Sequence, residues 1–195
     1  MEKEGSSSCG AYVGGKPALE HYKDGLFGKK PRTTTWKRGE PAEVFWSSGV
    51  GHRGGYAYRL CKVYKGQYWK VTEECFQKGH LKFYGKKLIQ IFQMFYLKLQ
   101  GKTAWMYDRP LDGNYSEDGW QAVDLVSTTE GTTPEGSQWA KINLPRNLKW
   151  GDYWGFKDLV DVPKNLARGD YVLSFRWDCQ TTPQVWNACA NIKIV

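Results

Sequence analysis

Histidine is scarce in this chain: three occur among 195 residues, His21, His52 and His80. None stands at a metal-ligand spacing from another, and no CxxC pair occurs among the five cysteines, so a zinc site is not indicated. A GxSxG nucleophile elbow is missing, which removes the usual footing for a serine hydrolase. GxGxxG and Walker A motifs are missing too, so nucleotide chemistry has no support. Long apolar runs are lacking. The most apolar stretch, Leu88 to Leu99 (LIQIFQMFYLKL), is shorter than the roughly 20 residues needed to span a bilayer, so no membrane insertion is expected. The opening MEKEGSSSCGAYVGG has no apolar signal-peptide core. Blocks of one charge sign are also absent. Lys and Arg total 28 against 20 Asp and Glu, a net charge of +8, yet the basic residues cluster only as pairs such as Lys29-Lys30 and Lys86-Lys87. Without an accompanying nucleic-acid motif, this reads as a solvated basic surface and no nucleic-acid partner is expected.

What is present is aromatic and turn-rich. Aromatics make up 15% of the chain, with ten Trp and twelve Tyr, beside 22 Gly and eight Pro. Large apolar groups in this number exclude a disordered chain, and the pairing with turn residues suits an all-β protein. The length allows one domain with a real core. Residues 1–35 show little periodicity and read as an extended arm. Residues 36–195 carry strand signals. Ala42 to Ser48, Tyr56 to Val63, Leu81 to Tyr84, Ala104 to Tyr107, Ala122 to Thr128, Ser137 to Leu144, Phe156 to Val162 and the final hairpin all read as strands. Val71 to Gln77 reads as a short helical turn capped by Thr72. Leu88 to Leu99 fits either a helical face or a buried strand, because periodicity does not separate the two. The expected fold is an immunoglobulin- or fibronectin III-like β-sandwich with short helical turns in its loops.

Cys61 and Cys75 flank one turn-rich stretch, and Cys179 and Cys189 flank the loop of the final hairpin. Two local bridges are therefore expected, as in an oxidising compartment. Cys9 is left over, either as a free thiol or with a partner outside the chain.

Two places stand out as candidate chemistry. His52 sits in SGVGHRGGY, where Gly49, Gly51, Gly54 and Gly55 let the backbone turn freely and come close to another group. A histidine there has few neighbours to bury it. The second place is the hairpin Tyr171 to Val195, which carries Gln184 and Trp186 in its loop. His21 reads as a surface histidine, His80 as a loop or packing histidine, and the pair Glu73-Glu74 as surface acids.

The segments GHRGGYAYRLC, VTEECFQKGHLKF, EGTTPEGSQW and GDYVLSFRWDCQTTPQVWNACANIKI together resemble the lytic polysaccharide monooxygenase-like proteins of algae and oomycetes. The final hairpin is also similar to the end of the chitin-binding, copper-dependent monooxygenases. The resemblance covers roughly residues 36–85 and 101–195. It implies copper held by a histidine brace, with His52 as the internal imidazole ligand, Trp186 at the axial aromatic position and Gln184 as a polar neighbour of bound oxygen. It implies copper-dependent oxidative cleavage of a chitin- or cellulose-like polysaccharide by a secreted monomer acting on a polysaccharide surface. The brace's N-terminal histidine is not in this sequence, which opens with Met1. Two readings follow: a chain lacking its native N-terminus, or a divergent relative without the metal. Two other functions compete. One is a non-catalytic polysaccharide-binding module on the same sandwich. The other is an adhesive or structural domain that binds neither copper nor glycan.

Overall fold

The computed structural model describes residues 9–10, 33–64, 67–93, 96–99, 102–105, 120–144 and 153–195. His21, most of the expected arm and residues 106–119 lie outside these residues. The fold is an all-β sandwich. One sheet has six strands in the spatial order β1 (Thr33–Trp36), β12 (Val185–Ile194), β11 (Gly169–Cys179), β3 (Gly54–Lys62), β9 (Trp139–Lys141) and β8 (Ser127–Thr128). The other has four, in the order β2 (Pro41–Ser48), β10 (Tyr153–Asp161), β4 (Lys87–Gln93) and β7 (Trp120–Asp124). A hairpin of β5 (Tyr96–Leu99) and β6 (Lys102–Trp105) forms a separate two-stranded sheet.

Alternation along each strand builds the core. In β2, Ala42, Val44 and Trp46 are buried while Glu43, Phe45 and Ser47 face solvent. In β11, Tyr171, Leu173, Phe175 and Trp177 turn toward the second sheet. Trp46 sits at the centre of the packing, with ring centroids 4.9 Å from Tyr56, 5.1 Å from Trp154, 4.6 Å from Phe175 and 5.4 Å from Trp177. These rings come from both sheets, so the aromatics clamp the layers together.

A second, smaller cluster lies on the opposite face of the six-stranded sheet. It joins Cys9, Cys61, Val63, Val71, Phe76 and Val172 under the helix α1 (Glu73–Lys78). The expected cap is present: the Thr72 hydroxyl accepts a hydrogen bond from the Cys75 N–H at 3.2 Å.

Three expectations need correction or resolution. Leu88 to Leu99 enters β4 and β5, with no helix over its described residues. Leu88 and Gln90 point inward and Ile89 and Ile91 outward, a period of two that the mixture of apolar and amide side chains conceals. Leu81 to Tyr84 is not a strand. It crosses from one sheet to the other, through isolated bridges Arg59↔His80 and Phe83↔Val160, and so runs alongside neither.

The cysteine pairing also differs. Cys61 bridges Cys75, but Cys189 bridges Cys9, and Cys179 stands outside both bridges. The hairpin register explains why. Cys189 lies opposite Ser174, five residues along β11 from Cys179, or about 17 Å of strand. The two cysteines also serve opposite faces, since Cys179 packs against the inter-sheet core and Cys189 against the smaller cluster. A disulfide needs Cα atoms within about 7 Å, which this arrangement forbids.

Candidate functional site

The glycine-rich turn and the final hairpin meet at one end of the sandwich. β3 starts opposite the end of β11, with Gly54 paired to Cys179 and Gly55 to Asp178. The Gln180 N–H donates to the Arg53 carbonyl oxygen at 2.8 Å, lacing the two loops. Gly54 has φ +138°, and a Cβ there would stand 2.0 Å from the Asp178 carbonyl oxygen. Only glycine admits both the angle and the approach. This close seam delivers His52 to the hairpin.

There three rings form a row. Trp177 pairs across the strands with Trp186, and their rings stack at 6.1 Å with 27° between planes. His52 approaches Trp177 at 6.2 Å. Trp177 is fully buried and His52 half-buried, whereas Trp186 is 42% exposed. A cleft of about 470 Å³ opens beside the row, lined by Phe45, Trp46, Ser48, Val50, Trp177 and Trp186 among others. A smaller cleft of about 290 Å³ continues along β2 and β12, sharing Phe45, Trp46, Phe175 and Ala188. Gln184 is placed differently. Its side-chain oxygen accepts from the Thr182 hydroxyl at 3.1 Å, and its carbonyl accepts from the Cys179 N–H at 3.1 Å, so its contacts belong to the hairpin turn. It does not line the larger cleft.

A brace for copper needs two nitrogen donors besides His52. Among the described residues no group of three His, Cys, Asp or Glu gathers as a metal site, and the ring neighbour of His52 is the indole of Trp177. The described residues therefore do not complete the brace. What this end of the molecule offers chemically is a rigid aromatic face with an imidazole beside it.

Two buried polar groups lie deeper. Asp158 of β10 reaches across the core to β3, accepting from the Tyr56 hydroxyl at 3.0 Å and the Tyr58 hydroxyl at 2.8 Å. Burial pushes its carboxyl up to about 6, and the two tyrosine bonds pull in the other direction. The same burial, with the Asp158 charge, raises both tyrosines well above their ordinary value. On the outer face of the six-stranded sheet, buried Arg59 pairs with Glu73 of α1 and donates to the Ser174 hydroxyl at 2.9 Å. Arg176 reaches the same Glu73 at 3.3 Å and grips Asp178 with two bonds of 2.7 and 3.0 Å. Glu73 is thus a structural ion-pair partner, while Glu74 pairs with Lys78 in solvent. His80 donates from Nε2 to the Gln138 carbonyl oxygen at 2.8 Å, the packing role expected of it.

Sequence reasoning missed Trp46, Trp177 and Asp158 as members of these clusters. Alternation along the two strands was the signal that could have placed both tryptophans on an inward face. Their convergence depends on how the sheets stack, which no local pattern records.

No family model matches this chain, and no curated protein does either. Among solved structures, three distant likenesses are described. A family 123 glycoside hydrolase from Clostridium perfringens, active in glycolipid glycan hydrolysis, aligns at 8% identity with a TM-score of 0.34. The alignment covers 97% of this chain but 26% of the hydrolase, so the chain spans about a quarter of that enzyme. AvmM, which catalyses macrocyclisation in alchivemycin A biosynthesis, aligns at 10% identity with a TM-score of 0.28, over 83% of this chain and 85% of its own. The adhesin CfaE of enterotoxigenic E. coli aligns at 12% identity with a TM-score of 0.21, over 85% and 46%. Likenesses at this level identify neither a family nor an activity for this chain.

Proposed function

We propose that this chain is a secreted polysaccharide-binding β-sandwich that holds sugar rings at its Trp186 end. One observation carries the reading. Trp186 leaves a large part of its ring in water while buried Trp177 stacks behind it. A ring fixed in place loses little side-chain freedom on binding, and its face suits the C–H face of a pyranose. The adjoining cleft gives a chain room to continue past the ring. Two disulfides suit an oxidising compartment, in keeping with secretion.

The test is retention of the purified protein on insoluble chitin and cellulose. The parent is expected to bind, and Trp186→Ala to weaken binding about tenfold, near the upper range for one aromatic contact. No retention of the parent on either polysaccharide would end this reading. The copper-dependent reaction implied by the sequence resemblance is tested in the same samples. A type-2 copper signal from the loaded protein, with oxidised oligosaccharides released in the presence of a reductant, would make the binding surface part of an enzyme. Chelator-resistant binding without such products leaves a binding module.

A further inference from the structure

The solvent face of the four-stranded sheet is unusually apolar for an exposed surface. Two rows cross it in register, with two further pairs beyond them. The first is Trp120, Ile91, Gly155 and Ser47. The second is Ala122, Ile89, Lys157 and Phe45. Beyond them lie Asp124 beside Lys87, and Leu159 beside Glu43. Phe45 is 53% exposed and Trp120 44%. Phe45 does not stand upright in its own row. A Cβ on Gly155 would come within 3.0 Å of the Phe45 ring and 2.5 Å of the Trp46 carbonyl oxygen, so the ring lies against the bare glycine of the first row. The Phe45 ring, over Gly155, and Trp120 therefore share one row across the strands, at backbone positions two strand intervals or about 10 Å apart. Ile91 fills the space between them.

We infer that this face is a second binding platform, for the flat side of a neutral polysaccharide chain lying across the strands. Three features select that occupant. The spacing of the two positions along the row is close to the length of two linked pyranose units, so alternate sugars of one chain would meet Phe45 and Trp120. Within these rows the charges are already matched, Lys157 with Glu43 at 3.0 Å and Lys87 with Asp124 at 2.9 Å, so the ground around the two aromatics offers no unpaired charge to an ionic partner. The matched rows cover only about 200 Å², from three strand intervals and four residue rises. A stable protein partner, including a second copy of the chain, needs about 800 Å² on each side. This platform is on the outer face of the sheet; it shares Phe45 with the cleft beside Trp186, whereas Trp120 lines neither cleft.

Binding isotherms on microcrystalline cellulose and chitin test it with four proteins: parent, Trp186→Ala, Phe45→Ala/Trp120→Ala and Trp120→Tyr. All the substitutions are at exposed rings, and a thermal melt verifies that each protein is folded. The double variant is expected to bind about 25-fold more weakly than the parent, about fivefold for each lost ring. Trp120→Tyr keeps a flat ring and is expected to stay within about twofold of the parent. Parent affinity should change little between low and about 1 M salt, since no ionic contact is involved. Parent-like binding by the double variant, with loss in Trp186→Ala, would overturn the platform and leave the Trp186 reading intact. Absence of binding by every protein would overturn both. A parent dimer in sedimentation that dissociates in the double variant would overturn the platform in favour of self-association.

Discussion

Asp158 is a carboxyl group held between two tyrosine hydroxyls in an aromatic core. Burial raises it from an ordinary carboxylate value to about 6. In the unfolded chain it titrates near 3.8. Between those values the folded state holds a proton that the unfolded state has released. The stability contribution of this group is therefore greatest below about pH 4. It declines as pH rises through 6 and is fully lost above it. The gap between the two values corresponds to about 3 kcal/mol. Asp158→Asn keeps the shape and removes the titration. Urea unfolding of parent and variant at several pH values between 4 and 7 reads this as a difference. The parent should lose about 3 kcal/mol relative to the variant across that window. A flat difference would show that folding does not raise this carboxyl above its unfolded value.

At the scale of elements, α1 is tied to the six-stranded sheet by one acid. Glu73 serves Arg59 and Arg176 together, and Arg59 is buried beneath the helix with its guanidinium over the Phe76 ring at 5.4 Å. Removing the acid leaves a buried cation without its ionic partner. Glu73→Gln is expected to destabilise the protein by about 3 kcal/mol in chemical denaturation. Glu74→Gln, one residue along, should leave stability unchanged within error, because its pair with Lys78 is in solvent. The contrast marks what could be read before the fold was known. Thr72 as a cap, and the strands around AEVFWSS, GGYAYRLC and YVLSFRWD, were legible because their signals are local: a side-chain oxygen before a helix, or alternation of period two. That Glu73 is structural and Glu74 is not was illegible, since the difference lies in which face of a distant strand each meets. The union of His52 with Trp186 was legible only through the resemblance. The register of β3 on β11 supplies its physical cause, while Gln184 spends its contacts on Thr182 and Cys179 within the hairpin turn. Cys179 failed as a bridge partner for Cys189 because neighbours in sequence sat on opposite sheet faces.

For the whole molecule, the two disulfides constrain the unfolded chain unequally. Cys9 and Cys189 are separated by 180 positions, Cys61 and Cys75 by 14. In the chain-entropy model the long closure is worth about 5 kcal/mol and the short one about 3. Cys9→Ser/Cys189→Ser should therefore lower the urea midpoint further than Cys61→Ser/Cys75→Ser, with the aromatic clamp between sheets present in both. An equal or reversed effect would show that local packing around the bridges outweighs loop closure. The long bridge also fixes where its end of the chain lies. Gly10 rests so close to β12 that a Cβ on it would meet the Asn187 carbonyl oxygen at 2.5 Å.

The Asp158 cluster has a consequence in proton balance. At a pH between its unfolded and folded values, each molecule that folds withdraws about one proton from solvent at this carboxyl, and each that unfolds returns it. Part of the heat of this group's folding reaction then belongs to the buffer. The sandwich thereby behaves, in mildly acidic surroundings, as a weak base whose conjugate acid is its own more stable form.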